Sequence, residues 1–172
     1  GAAGFAAMLP GEAHAHGPMT HDAPASGTAG SSCGPTWVQP SADGRKLYLA
    51  CNRHSEVLEV DAASLRVERR IATGKTPYNL AISDDGRVLL ATLKGAQAVS
   101  VIDLATGKEN AQLKTSHTVP SGVQITPDGR YAVVSCEGKG AESGAVDLFD
   151  LSTGALLQTA IVGAGAGGLQ IL

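Results

Sequence analysis

The chain reads as all-β, and three observations say so. A motif returns about every 42 residues, its apolar runs are short, and Asp-Gly turns split them. Helix caps followed by apolar runs of period 3.6 are absent. A repeat of this length, built this way, marks the four-stranded blade of a β-propeller. The three copies span 34–51, 76–93 and 119–136, centred on Asp43-Gly44, Asp85-Gly86 and Asp128-Gly129. They predict a propeller segment of about three four-stranded blades at 34–75, 76–117 and 118–163, with a partial fourth at 164–172.

The second unit shows the spacing best. Its first strand is predicted at 78–83, its turn at 84–87 and its second strand at 88–93. A loop at 94–97 leads to a third strand at 98–103, where Val99 and Val101 alternate with Ser100 as a pleated surface requires. Residues 104–108 turn into a fourth strand at 109–114. The first unit places its third and fourth strands at 56–61 and 66–71, the third unit at 145–150 and 155–162. The third unit also carries a longer loop, 137–144. Asp61 and Asp103 are 42 residues apart, Asp103 and Asp150 47. Asp-Gly pairs suit the positive φ that tight hairpins need. The expected core contains Val57, Val60, Leu80, Ile82, Leu90, Val99, Val101, Ile125, Val133, Val146 and Leu148, with the inward and outward sets exchanged if the register slips by one.

Residues 1–33 are different. Gly, Pro, Ser and Ala dominate 10–32 and no period survives, so a long loop is expected. The apolar stretch 1–9 reads as a strand left from a preceding blade. The rival reading is a signal peptide ending near Ala13-His14-Ala15, which the missing basic segment disfavours.

Apolar residues make up 43% of the chain, enough for a core, but aromatics only 3%, so that core must be Val, Leu, Ile and Ala. Charged residues are 17%, net charge is −3, and no basic run occurs, so nucleic acid is not a predicted partner. No stretch reaches the ~18 apolar residues of a membrane helix. Three cysteines, Cys33, Cys51 and Cys136, define no disulfide framework; one bridge plus a thiol, or three thiols, both fit.

Three runs carry a family resemblance: 99–108 (VSVIDLATGK), 127–131 (PDGRY) and 47–52 (LYLACN). They resemble the YVTN-type β-propeller repeat, over about residues 34–172, and the chain is similar to the YncE-like group of surface-layer-associated bacterial propellers. The resemblance implies a ring of about seven blades, so that this chain is part of a larger propeller or pairs with a second copy. It further implies a periplasmic, secreted or cell-surface location, and it brings no catalytic motif.

The chemistry gathers at one end of the blades. First and second strands run antiparallel, so the loop entering a blade and the loop after its second strand share a face. His14, His16, His21, His54 and His117 all fall there. Cys33 opens the first blade, and Cys51 and Cys136 each end a second strand. Imidazole and thiolate are ligands for copper or zinc, so His14, His16, His21, His54, Cys33 and Cys51 form a candidate metal set, with Met19 as a further soft donor. The plainer reading is a solvated, His-containing loop, because the spacing fits no regular zinc signature. Cys33 and Cys51 flank one hairpin and would bridge if their Cα atoms lie within about 7 Å. Cys136 faces Thr118 instead and reads as a small apolar residue.

Other residues read more plainly. Asp61, Asp103 and Asp150 read as turn residues that bond backbone N–H groups. Glu137 and Glu142 either line a site or are solvated loop charges. Residues 163–168 match GxGxxG in form, but a dinucleotide site needs a following helix and an acid ~20 residues on, and four residues remain, so an interblade loop is expected. The leading function is therefore a non-enzymatic binding scaffold for an unknown protein or small molecule. The alternatives are a copper-binding or copper-dependent oxidoreductase propeller and a lactonase-type hydrolase.

Overall fold

A computed structural model describes residues 32–163, 165–167 and 169. The strand expected at 1–9, the loop at 10–31 and all but Leu169 of the strand expected at 168–172 lie outside the described residues.

Twelve strands form three antiparallel sheets among the described residues. The first sheet is β1 (Pro35–Pro40), β2 (Lys46–Cys51), β3 (Glu56–Asp61) and β4 (Val67–Ala72), side by side in that order. The second is β5 (Pro77–Ile82), β6 (Val88–Leu93), β7 (Ala98–Asp103) and β8 (Lys108–Lys114). The third is β9 (Pro120–Ile125), β10 (Tyr131–Cys136), β11 (Gly144–Asp150) and β12 (Leu156–Val162). Each sheet is one blade. The sheets are open, and no ring closes among the described residues.

Side chains in the turns fix the strand ends. Before each Asp-Gly a hydroxyl donates to the aspartate: Ser41 to Asp43 at 2.6 Å, Ser83 to Asp85 at 2.6 Å, Thr126 to Asp128 at 2.5 Å. Each of these aspartates also accepts the N–H of the arginine two residues on, at 3.0–3.1 Å. Gly86 has φ +69°, and a side chain there would meet nothing within 4 Å. The backbone angle, not crowding, selects glycine. The second turn of each blade uses Asp61, Asp103 or Asp150 as expected. Ser64 N–H donates to Asp61, Ala105 and Thr106 N–H to Asp103, and Ser152 and Thr153 N–H to Asp150.

Blades pack face to face, with β1 against β5 and β5 against β9. Tyr48, Ala50, Val57 and Ile71 of blade 1 meet Leu80, Leu89, Ala91, Ile102 and Leu104 of blade 2. Ala81, Leu90, Val99 and Leu113 on the other face of blade 2 meet Val123, Ala132, Val134, Cys136 and Phe149 of blade 3. Alternate residues of the middle blade thus enter two cores. Burial of each such leucine stabilises by about 1.5–3 kcal/mol. The expected core holds for Val57, Val60, Leu80, Leu90 and Val99, which are buried. It fails for Val133, Val146 and Leu148, which are half-buried. They point to the face of blade 3 that no sheet covers among the described residues, while Ala132, Val134 and Phe149 point to blade 2. Ile82, Val101 and Ile125 are half-buried too, at the margins of the two cores.

Candidate functional site

One feature recurs at the start of every blade. The residue before proline (Gly34, Thr76 or Val119) has φ of +64°, +63° or +59°. For β-branched Thr76 and Val119 this is a left-handed conformation that costs of order 1–3 kcal/mol. The first strand then bulges by one residue after its proline, as its partner register shows. Such a bulge re-aims side chains. Thr92 Oγ accepts the N–H of Asn79 at 3.0 Å, and Ser135 Oγ accepts that of Gly122 at 3.1 Å. Blade 1 has Ala50 in that place. The Thr36 hydroxyl instead reaches across to the Tyr78 carbonyl at 2.8 Å and ties blade 1 to blade 2.

These bulges converge on a cavity of about 210 Å³ lined by Trp37, Tyr78, Asn79, Ser121, Glu137, Gly167 and Leu169. All three blades contribute. Glu137 accepts a hydrogen bond from the Ser121 hydroxyl and pairs with Lys94 at 3.0 Å. The Ser121 hydroxyl first, and then Lys94, hold its carboxyl below the usual range. The Lys94 ammonium also sits 3.7 Å from the centre of the Tyr78 ring, a cation–π contact. Asn79 is only 6% exposed, and its Oδ1 is buried without a hydrogen-bond partner. Grooves of about 290 and 440 Å³ lie among the Asp-Gly and strand-closing turns instead, and the carboxylates in them are already bonded within those turns.

Residues 24–171 match the YncE-like beta-propeller family. The chain belongs to that family. No curated protein matches it. Among solved structures it is similar to hydrazine synthase of Kuenenia stuttgartiensis, at 28% identity and a TM-score of 0.73, over 78% of this chain and 38% of that one. It is also similar to U3-55K, at 12% identity and a TM-score of 0.67, over 77% of this chain and 40% of that one. The second likeness is one of fold alone. This YncE-like chain spans about two fifths of the length of the chains it matches.

Of the six metal candidates, His14, His16 and His21 lie outside the described residues. Cys33 and Cys51 form a disulfide, with Cα atoms 4.9 Å apart. As a disulfide the sulfurs carry no thiolate charge to offer a metal. His54 follows β2 in a tight loop. Its N–H donates to the Cys51 carbonyl at 3.2 Å, and its Nδ1 lies 3.4 Å from Glu56, a carboxylate shared with Arg70. Among the described residues no three His, Cys, Asp or Glu side chains form a metal-binding group.

His117 lies in another blade and meets the Ser116 hydroxyl at 2.8 Å. That hydroxyl donates to buried Asp147 at 2.6 Å, and Asp147 also accepts from Ser116 N–H and the Thr159 hydroxyl. Serine, histidine and aspartate meet here, but the carboxylate bonds the hydroxyl rather than the imidazole, which is not the order of a nucleophilic relay. The group clamps the loop before β9 onto β11. Cys136 is a buried thiol that desolvation pushes up to about 11, which leaves it protonated and unreactive. Glu142 accepts from the Thr118 hydroxyl and holds the long loop closed. In the glycine run, Gly167 O accepts the Ser135 hydroxyl and Gly165 N–H reaches Glu137 O, so these two glycines lie against blade 3.

Sequence reasoning placed its candidates at the loop end of the blades and did not single out the cavity residues Trp37, Tyr78, Asn79, Lys94 and Ser121. The available signal was the repeat itself. Trp37, Asn79 and Gly122 each stand two residues after a proline, and a site is expected where equivalent positions of a repeat differ.

Proposed function

We propose that this YncE-like chain is a run of blades from a larger extracytoplasmic propeller and acts as a non-enzymatic binding scaffold. The observation that carries the reading is the Cys33–Cys51 disulfide, which ties the lead-in of blade 1 to the end of β2. Such a bridge suits an oxidising compartment. The family points the same way. The two solved chains extend well beyond this one, which supports further blades on the open faces. The turn carboxylates Asp43, Asp85, Asp128, Asp61, Asp103 and Asp150 are all engaged in holding turns, which favours a scaffold over acid–base chemistry. A thiol count on protein quenched with acid directly from cells tests the location. One reactive thiol after denaturation and three after reduction are expected; three before reduction contradict the reading. Lactone turnover above the buffer rate contradicts the non-enzymatic part.

The His54 loop keeps a second reading open, copper or zinc binding. Arg53 and His54 N–H close that loop onto the Cys33 and Cys51 carbonyls. His14, His16, His21 and His54 would be the ligands, joined by Cys33 and Cys51 only after reduction. Replacing His14, His16 and His21 with alanine should then abolish copper uptake with folding intact; unchanged uptake eliminates the site.

A further inference from the structure

We propose that β12 is a self-pairing edge, at which two copies of this chain join β12 to β12 antiparallel about a two-fold axis at Thr159. The fourth strand of each blade, β4, β8 or β12, is an edge of its sheet. A sheet edge presents unpaired backbone N–H and C=O groups, and charged side chains guard it against pairing. β4 carries Glu68, Arg69 and Arg70, and β8 carries Lys108, Glu109 and Lys114. β12 reads Leu156-Leu157-Gln158-Thr159-Ala160-Ile161-Val162, with no charge, no proline and no glycine, and all of it but Thr159 is exposed. The register within each blade sets Leu157 in the place of Glu68 and Asn110, and Ile161 in the place of Ala72 and Lys114. The repeat thus loses its guards in blade 3 alone, where Leu157 is 52% and Ile161 62% exposed.

A following blade would not cover this edge. The Thr159 hydroxyl donates to Asp147 at 2.7 Å. Ala145, Asp147 and Phe149 alternate along β11 on the side that is buried toward blade 2. Ile161 pairs with Ala145, so it lies on that same side, and it is exposed with blade 2 in place. A next blade would sit on the other side, that of Val146 and Leu148. What selects a second copy as the occupant is the order of residues in the strand. Antiparallel pairing about Thr159 sets Leu157 against Ile161, Leu156 against Val162 and Gln158 against Ala160 of the second copy. Every large apolar side chain of β12 then meets another, as stable cross-strand pairs do, and no charge is left to match. The contact is the same on both copies, so it closes at two.

Sedimentation of the full chain at rising concentration tests this, with hydrogen exchange of β12 followed alongside. A monomer–dimer equilibrium is expected. β12 should exchange fast in the dilute monomer, where its edge is open, and slow as the dimer forms. Ile161→Lys, at an exposed site, should leave the monomer folded and weaken the dimer by about tenfold or more, because both Leu157–Ile161 pairs are lost. Leu157→Glu should do the same. The two variants mixed should pair again: their new charges oppose each other at one end of the register, and the native apolar pair remains at the other. Val146→Lys separates the edge from the open face of blade 3 and should leave the dimer unchanged. A monomer at every concentration, a dimer unmoved by Ile161→Lys, a dimer lost in folded Val146→Lys, no recovery on mixing, or open-ended growth that Ile161→Lys abolishes overturns the proposal.

Discussion

The middle blade and the two outer blades share one repeat yet meet different surroundings. β6 is buried along its length save Val88, and Leu80, Leu89, Leu90, Leu93, Val99 and Ile102 of blade 2 are wholly buried. Trp37, Val38, Leu65, Val67, Leu156, Leu157, Ile161 and Val162 are exposed, and all of them lie in blades 1 and 3. The sequences of the blades do not differ in apolar content in a way that explains this. The neighbours do. A blade is a sheet with two apolar faces, and it becomes a core only when both are covered. Among the described residues only blade 2 has both.

The largest contrast should come from leucines. Leu90→Ala removes a side chain locked between blades 2 and 3 and should cost about 2–5 kcal/mol in urea unfolding. Leu157→Ala, on an edge strand and 52% exposed, should fall within about 0.5 kcal/mol. Equal costs would break the comparison.

Next comes the disulfide, which belongs to blade 1 alone. It closes a sequence separation of 18 residues. Replacing both Cys33 and Cys51 with alanine should cost about 3 kcal/mol by loop entropy. Proteolysis should show the loss confined to β1 and β2, with blades 2 and 3 resistant. Loss of protection across all three blades would mean that they fold as one unit.

The smallest effect is that of acid. Glu137 and Glu142 of blade 3 titrate below their ordinary 4.5, chiefly because the Ser121 and Thr118 hydroxyls bond their carboxylates. The turn residues Asp85, Asp128, Asp61 and Asp150 titrate below their ordinary 3.8 through hydroxyl and backbone N–H bonds. A lowered folded value gives stability that is complete above the unfolded value and is lost as pH falls through the folded one. Stability should therefore be flat from about pH 7 to 5. It should fall first below 4.5 through blade 3, then below 3.8 in all blades. Unfolding midpoints at stepped pH check this. A loss beginning above pH 5 would contradict it.

Strand positions were legible where turns mark both ends. The spans 88–93 and 98–103 coincide with β6 and β7, because Asp85-Gly86 and Asp103 fix them chemically. The first strand of blade 2 was set one residue late, since Pro77 already pairs with Leu93 across the bulge. Which of two alternating faces is buried was not legible in blade 3. Val133 and Val134 are alike as residues, and only the neighbouring blade tells them apart. The shared end of the loops was legible from strand direction. The cavity was not, because Trp37, Asn79 and Ser121 come from three blades and no motif in the sequence links them.

Hydrogen exchange of the 172-residue chain, resolved by strand, tests the central claim most directly. Covered sheets open only with global unfolding, whereas edges with one bare face open locally. The account predicts the slowest exchange in β6 and β7 and the fastest in β4 and β12, with β2 and β10 between. Exchange as slow in β12 as in β6 would contradict it, for then the open face of blade 3 is covered in solution.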